Sequence, residues 1–474
     1  MIDLSDTRIT PDERELLAEG RVSSVCLFGR NISDRHQAGE YVAELRSLAG
    51  NDLIVAIDQE GGGVLRLRDV PYPPAAMSLG AADDALLTER VAAATGRGLR
   101  SVGVNLDFAP VADVNSNPDN PVIADRSFGS APQLVARHFP GHGDTDVDSH
   151  LALPTLRHDP AHLDAVDLPP FRAGIAAGAS AIMSAHILMP EIDAALPATL
   201  SRAAMHGLLR TSLGFDGVIV TDALDMRAIK DSWPAPQAAV MSLRAGTDLP
   251  VVIGGVDENR AVLDEVDAAA ADGRLDPAEY AASQARVAAL AQRFAATGPD
   301  PDGAWRADGS DETLLSEAAY RGLVVRGEPP ALRRGDRIIL VARQQVVTNA
   351  AAQVMVRPAD TFTTALAAAG IEATRFAVTD LDLDEIARAA VTGVRPAAIV
   401  FASTTRVRMK ADEVASARAL ANVARVVNVP FLHVALWNPY SADGVPGPAI
   451  IAFGHAPREA AAVVRRLTAR PSGA

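Results

Sequence analysis

The chain has one cysteine, Cys26, and two lysines, Lys230 and Lys410. A single thiol excludes a disulfide framework, and its place inside an apolar run points to a buried structural residue rather than a nucleophile. With lysine so scarce, arginine carries nearly all the positive charge. The two cations differ physically, but this bias reads as genome base composition rather than function. Positive charge is in deficit overall: the formal net charge is −15 at pH 7, which argues against a nucleic-acid or anionic-membrane partner. No apolar run approaches the roughly 20 residues needed to span a bilayer. The opening Met1-Ile2-Asp3-Leu4 does not read as an export signal, so a cytoplasmic protein without a membrane partner is expected. What remains is a chain of 474 residues, 48% hydrophobic, with room for two or three domains and large cores.

Short β-branched runs alternate with Ala-, Leu- and Arg-rich helical stretches, the α/β pattern. Six strands are predicted in the first part, at 22–28, 53–58, 104–110, 179–185, 218–222 and 248–253. Several end in polar residues: Asp58-Gln59-Glu60, Asp107, His186 and Asp222. Function at the carboxyl ends of successive parallel strands is the pattern of a TIM-type (β/α) barrel. Residues 296–316, rich in Pro, Gly and acid, read as a linker. Strands at 337–342, 373–378, 397–402, 431–435 and 449–453 predict a smaller open parallel sheet. The expected organisation is a barrel over 1–295, a linker over 296–316 and a C-terminal α/β domain over 317–474. Asn438-Pro439-Tyr440, after a strand, reads as a turn.

The densest chemistry lies in residues 137–150, Arg-His-Phe-Pro-Gly-His-Gly-Asp-Thr-Asp-Val-Asp-Ser-His. Three histidines, three aspartates and a Pro-Gly turn in fourteen residues make neither an amphipathic helix nor an alternating strand. Such loops are where a scaffold carries acid–base groups. Asp148-x-His150 can set a carboxylate against an imidazole and so fix its tautomer and basicity. His138, His142 and His150 do not have the spacing of a helix-borne zinc motif, and Pro140-Gly141 interrupts them, so no metal and no other cofactor is expected. Asp222, after four apolar strand residues, is either a helix N-cap or a nucleophile. Asp225 reads as a local cap or turn residue. Arg66, following a triple glycine, and Arg126 are either surface ion pairs or binders of polar substrate groups. His186 reads as a hydrogen-bonded residue at the core edge that can also line a pocket.

Together these motifs resemble family 3 glycoside hydrolases of the β-N-acetylhexosaminidase branch. The resemblance rests on Ile57-Asp-Gln-Glu-Gly-Gly62, Asp125-Arg-Ser-Phe-Gly129, the 137–150 loop, Met183-Ser-Ala-His186, and Gly214-Phe-Asp-Gly217 with Thr221-Asp-Ala-Leu-Asp-Met226. It covers most of 10–295, and Leu436-Trp-Asn-Pro-Tyr440 resembles the second domain of two-domain members. What the resemblance implies is a retaining hydrolase of terminal β-N-acetylglucosamine on cell-wall fragments or chitooligosaccharides. It implies Asp222 as nucleophile and an Asp148–His150 dyad as general acid/base. It further implies that Asp58, Arg66, Arg126 and His138 hold the sugar, and Arg137, His186 and Met226 belong to the same expected site.

The chain also departs from the family pattern. Arg137 stands where the loop usually has lysine, and Gly63 where arginine is usual. Between Gly129 and Phe139 the usual helix and strand, roughly 20–25 residues, are missing. The chain begins where the family has already completed a first helix and strand. The expectation is therefore a barrel lacking two of eight strands, with a loop at 141–150 that is poorly anchored and impaired activity. Two alternatives accompany it: a phosphorylase, since a neutral histidine donor repels phosphate less than a carboxylate would, and an inactive sugar-binding homologue.

Overall fold

A computed structural model describes residues 1–130, 138–295, 298–303, 309–347 and 355–469. The first half contains two three-stranded parallel sheets. Ser24–Leu27, Ile54–Ile57 and Leu106–Asp107 form one; Ala181–Met183, Val218–Ala223 and Leu249–Val251 form the other. All six coincide with predicted strands. Ser24–Leu27 and Ile54–Ile57 are buried along their whole length, as parallel strands covered on both faces must be. Helices before and between them start on side-chain caps: Thr10 and Glu13 form a capping box at Pro11–Ala18, and Asp34 and Asp84 cap Arg35–Ala49 and Ala85–Ser101.

Beside these six strands, two single residues make isolated bridges to them. Ile2 makes parallel bridges to both Val25 and Val252, and its N–H donates to the Ser24 carbonyl at 3.1 Å. Phe139 bridges to Ser184; its N–H donates to the Met183 carbonyl and its carbonyl accepts from Ala185, both at 2.8 Å. Through these two residues the pairing runs from Phe139 through the second sheet and Ile2 to Leu106–Asp107. Among the described residues no pairing joins Leu106–Asp107 to Phe139. One bridging residue has no periodicity, so sequence pattern alone could not show it.

Side chains of both sheets meet in one core containing Cys26, Ile54, Ala56, Met183, Val218, Val220, Leu249 and Val251. Cys26 is a buried free thiol. Phe139 is fully buried and packs edge-on against Phe171, ring centroids 5.1 Å apart. An aromatic pair of this kind stabilises by about 1 kcal/mol beyond burial, so the root of the 137–150 loop is held by packing.

The second half is a six-stranded sheet in the order Glu372–Ala377, Arg337–Ala342, Ala398–Ser403, Phe431–Ala435, Ala449–Ile451, Val324–Arg326. The first five are parallel, as predicted. Val324–Arg326 pairs antiparallel with Ala449–Ile451, so the sheet is mixed rather than purely parallel. The expected linker is shorter as well. Its last residues belong to helix Ser310–Arg321, whose Leu315 and Ala318 pack on Leu79, Leu87 and Val91 of the first half. The halves are further joined where Arg97 meets Asp311 and where Arg458 Nη1 donates to the Tyr72 carbonyl at 2.8 Å. Among the described residues no helix is long and apolar enough to cross a membrane.

Candidate active site

A cavity of about 490 Å³ opens at the carboxyl ends of the first-half strands, within the size range of small-ligand sites. Asp58, Arg66, Arg126, His138, Asp148, His150, Asp222 and Met226 all line it. Sequence reading thus brings eight of its ten site residues to one place. Arg137 lies outside the described residues. His186 is the correction. It is fully buried and absent from the cavity wall. Its Nε2–H donates to the Ala223 carbonyl at 2.9 Å, since a carbonyl can only accept, which leaves Nδ1 for the Thr199 hydroxyl at 2.8 Å. Burial holds its pKa below the ordinary imidazole value, so it is a neutral brace behind the strand that carries Asp222.

Asp222 stands near the end of Val218–Ala223 with 16% of its side chain exposed. One oxygen accepts the Ala223 N–H at 2.8 Å; the other lies 4.0 Å from His138 Nε2. It therefore caps no helix, and one carboxylate edge faces the cavity. Asp225 lines the same cavity, and burial raises its pKa to about 6.

The Asp148–His150 pair forms as the spacing predicts. His150 Nδ1 and the His150 backbone N–H both approach Asp148 Oδ1, at 2.7 and 3.0 Å. Donation from Nδ1 leaves Nε2 for other partners. The carboxylate is buried, with 3% of its side chain exposed, whereas the imidazole is 39% exposed toward the cavity. Burial pushes the Asp148 pKa up, but hydrogen bonds from His150 and the charge of Arg406 outweigh it and hold the group at about 2.

Sequence reading missed the scaffold of this loop. Asp113 is buried; one oxygen lies 2.5 Å from His138 Nδ1 and the other accepts the His142 backbone N–H. Asn120 Nδ2 donates to the His142 and Gly143 carbonyls at 2.9 and 3.0 Å. His142 braces Thr145 and Ser149 from its two ring nitrogens, and burial lowers its pKa to about 4, so it is neutral. A Cβ on Gly143 would stand 1.7 Å from the Val114 carbonyl oxygen, so only glycine permits this backbone contact. These bonds anchor the loop after Phe139, in place of the poorly anchored loop expected from sequence.

The arginines are neither surface ion pairs nor free. Arg66 reaches Asp58 at 3.1 Å; Arg126 grips Glu60 with two bonds of 2.7 and 2.9 Å. Each guanidinium is fixed in the cavity wall by its carboxylate partner. Two further groups come from the second half. Arg406 Nη2 lies 3.5 Å from Asp148, and Trp437 Nε1–H donates to Asp125 at 3.0 Å. Trp437 also accounts for Gly63, where a Cβ would stand 2.8 Å from the indole. Asn438 supports both by capping Pro439–Ala442 and donating to the Arg406 carbonyl at 2.9 Å.

Burial pushes the Asp125 carboxyl up to about 7, against the pull of the Trp437 hydrogen bond. The folded state therefore holds this proton more tightly than the unfolded chain, whose value is about 3.9. Its contribution to stability is lost as pH rises from about 4 to about 7. Asparagine cannot ionise. Asp125→Asn should thus gain stability relative to the parent over that window, on the order of 1 kcal/mol per pH unit. Paired thermal melts at several pH values check this; a constant difference would contradict it.

Comparison with known proteins places this geometry in a family. The profile of the glycosyl hydrolase family 3 N-terminal domain matches residues 1–137 and 134–290, two segments that overlap at 134–137. Beta-hexosaminidase A of Pseudoalteromonas piscicida is 35% identical over 332 residues, 60% of this chain and 55% of that protein. The chain thus spans little more than half of that relative's length. Beta-hexosaminidase of Thioalkalivibrio sulfidiphilus is 36% identical over 296 residues, 56% of this chain and 84% of that protein. A solved glycoside hydrolase family 3 beta-N-acetylglucosaminidase from Paenibacillus sp. aligns with a TM-score of 0.87 and 31% identity, covering 99% of this chain and 94% of that one. The chain belongs to glycosyl hydrolase family 3, in its β-hexosaminidase branch.

Proposed function

We propose that the protein is a retaining exo-β-N-acetylglucosaminidase acting on cell-wall muropeptides or chitooligosaccharides. The observation that carries this reading is one cavity lined by both a strand-end carboxylate, Asp222, and an imidazole oriented by a buried carboxylate, His150 with Asp148. Asp222 attacks the anomeric carbon as the glycosidic bond breaks, and His150 Nε2–H gives its proton to the leaving oxygen. The neutral imidazole then takes a proton from water, which attacks the glycosyl ester and releases Asp222. Asp148 stays ionised and stabilises the imidazolium, the role of a third group behind a base. Asp58, Arg66, Arg126 and His138 hold the sugar, and Met226 supplies an apolar wall. We read the strand ring as a (β/α) barrel whose first and fifth positions are reduced to Ile2 and Phe139, with a C-terminal domain over 317–474 completing the site.

The test is turnover of a chromogenic N-acetyl-β-glucosaminide by purified, folded protein, with and without phosphate. Release of free N-acetylglucosamine independent of phosphate supports the hydrolase. A phosphate-dependent sugar 1-phosphate would make it a phosphorylase. Sugar binding without turnover would make it an inactive homologue.

Arg406 gives the second half a role that a separate test can reach. Its guanidinium contacts the dyad at 3.5 Å with 29% of the side chain exposed. Ion pairs of this exposure are worth up to about 1 kcal/mol. Arg406→Ala should therefore reduce kcat/KM by up to about fivefold and shift the basic limb of the pH profile, with the melting temperature nearly unchanged. A loss above a hundredfold would mean that Arg406 contacts the reacting groups directly.

A further inference from the structure

Behind the catalytic loop, outside the sugar cavity, lies a second group of acids and imidazoles. Asp159 accepts the His162 N–H at 2.7 Å and so starts the short turn Pro160–His162. The chain then widens into a π turn, Leu163–Asp167, with the Leu168 N–H donating to the Leu163 carbonyl at 2.9 Å. A turn closed at five residues brings positions i and i+5 toward one face, and here they are His162 and Asp167. His162 Nε2 lies 3.9 Å from Asp167 Oδ2, and His158 Nδ1 lies 2.9 Å from the same oxygen. The two rings stand 4.0 Å apart, and His162 Nε2 is buried with no hydrogen-bond partner.

We propose that His158, His162 and Asp167 form a binding site for a divalent transition-metal ion, zinc by its ligand chemistry. The candidate ligand atoms all lie within 4.8 Å of one another. In a tetrahedral site with bonds of about 2.1 Å, ligand atoms stand about 3.4 Å apart. The observed 2.9 and 3.9 Å bracket that value. Two imidazoles and one carboxylate suit zinc or cobalt and not calcium or magnesium, which take oxygen sets. His162 has 40% of its side chain exposed, while its Nε2 is itself buried beside Asp167.

The outer shell fits as well. His158 Nε2 lies 2.9 Å from Asp144 Oδ2. With Nδ1 on the metal, Nε2–H donates to that carboxylate, the arrangement that orients metal-bound histidines. Asp144 belongs to the loop that ends in Asp148 and His150, so the ion would fasten that loop from behind. These ligands are distinct from His138, His142 and His150, the histidines whose spacing argued against a metal.

Cobalt titration of the intact, chelator-stripped protein tests this through the visible bands of four-coordinate Co²⁺, with zinc as competitor. The expected result is saturable binding of a single equivalent that zinc displaces. His162→Ala should weaken it by on the order of 100-fold, and Asp144→Asn by about tenfold, the effect of losing an outer-shell partner. His150→Ala should leave the bands unchanged, and equal melting temperatures without metal show that the variants fold. Bands that survive His162→Ala and vanish in His150→Ala would put the ion in the sugar cavity and overturn the proposal. So would the lack of saturable binding by the parent protein.

Discussion

Asp222→Asn should lower kcat/KM on a chromogenic N-acetyl-β-glucosaminide by on the order of ten-thousandfold or more, the scale seen when a nucleophile is removed. The substitution changes charge and little else. Asparagine keeps the oxygen that accepts the Ala223 N–H, and the strand around it stays packed through Val218 and Val220. The melting temperature should therefore stay within a few degrees of the parent, and sugar binding should survive. Initial rates together with calorimetric binding separate these effects. A loss below a hundredfold would mean that another carboxylate attacks. Asp225 and Glu60, which line the same cavity, are then the alternatives.

His150→Ala should cost about a hundredfold to ten-thousandfold on substrates with poor leaving groups. On an activated nitrophenyl glycoside, kcat/KM should change less than about tenfold, because that leaving oxygen needs no proton. The second step still needs a base to activate water, so kcat should fall on both substrates. Asp148→Asn should show the same split at smaller size, since it removes the charge that supports the imidazolium and leaves the ring in place. Equal losses in kcat/KM on both substrate classes would assign His150 to sugar binding instead of proton transfer.

The parts of this site that were legible in the sequence were local. Asp148 and His150 are two residues apart, so their hydrogen bond follows from the chain itself. Asp222 ends an apolar β-branched run, and that run is a strand. The partners that hold these groups are remote. Asp113 meets His138 from 25 residues away, and Trp437 meets Asp125 from 312. No periodicity marks such pairs, because tertiary packing creates them, within the first half for Asp113 and His138 and between the halves for Trp437 and Asp125. The same applies to Ile2 and Phe139. Each joins a sheet through one bridging residue, which a pattern of alternating or continuous apolar residues cannot register. His186 shows the converse. Its place after an apolar strand allowed both a hydrogen-bonded core-edge role and a place in the pocket, and only the first holds, since its two ring nitrogens are spent on Thr199 and Ala223. The linker was overextended for a similar reason: its composition is polar, yet Leu315 and Ala318 form an apolar stripe that docks as a helix.

The central claim is that Asp222 forms a covalent bond to the sugar. A fluorinated mechanism-based N-acetylglucosaminide, followed by proteolysis and tandem mass spectrometry, tests it most directly. The account predicts a single glycosyl adduct on the peptide containing Thr221-Asp222-Ala223, with fragmentation placing the mass on Asp222. An adduct on Asp225 or Glu60, or full turnover of the parent substrate with no adduct on any carboxylate, would contradict it.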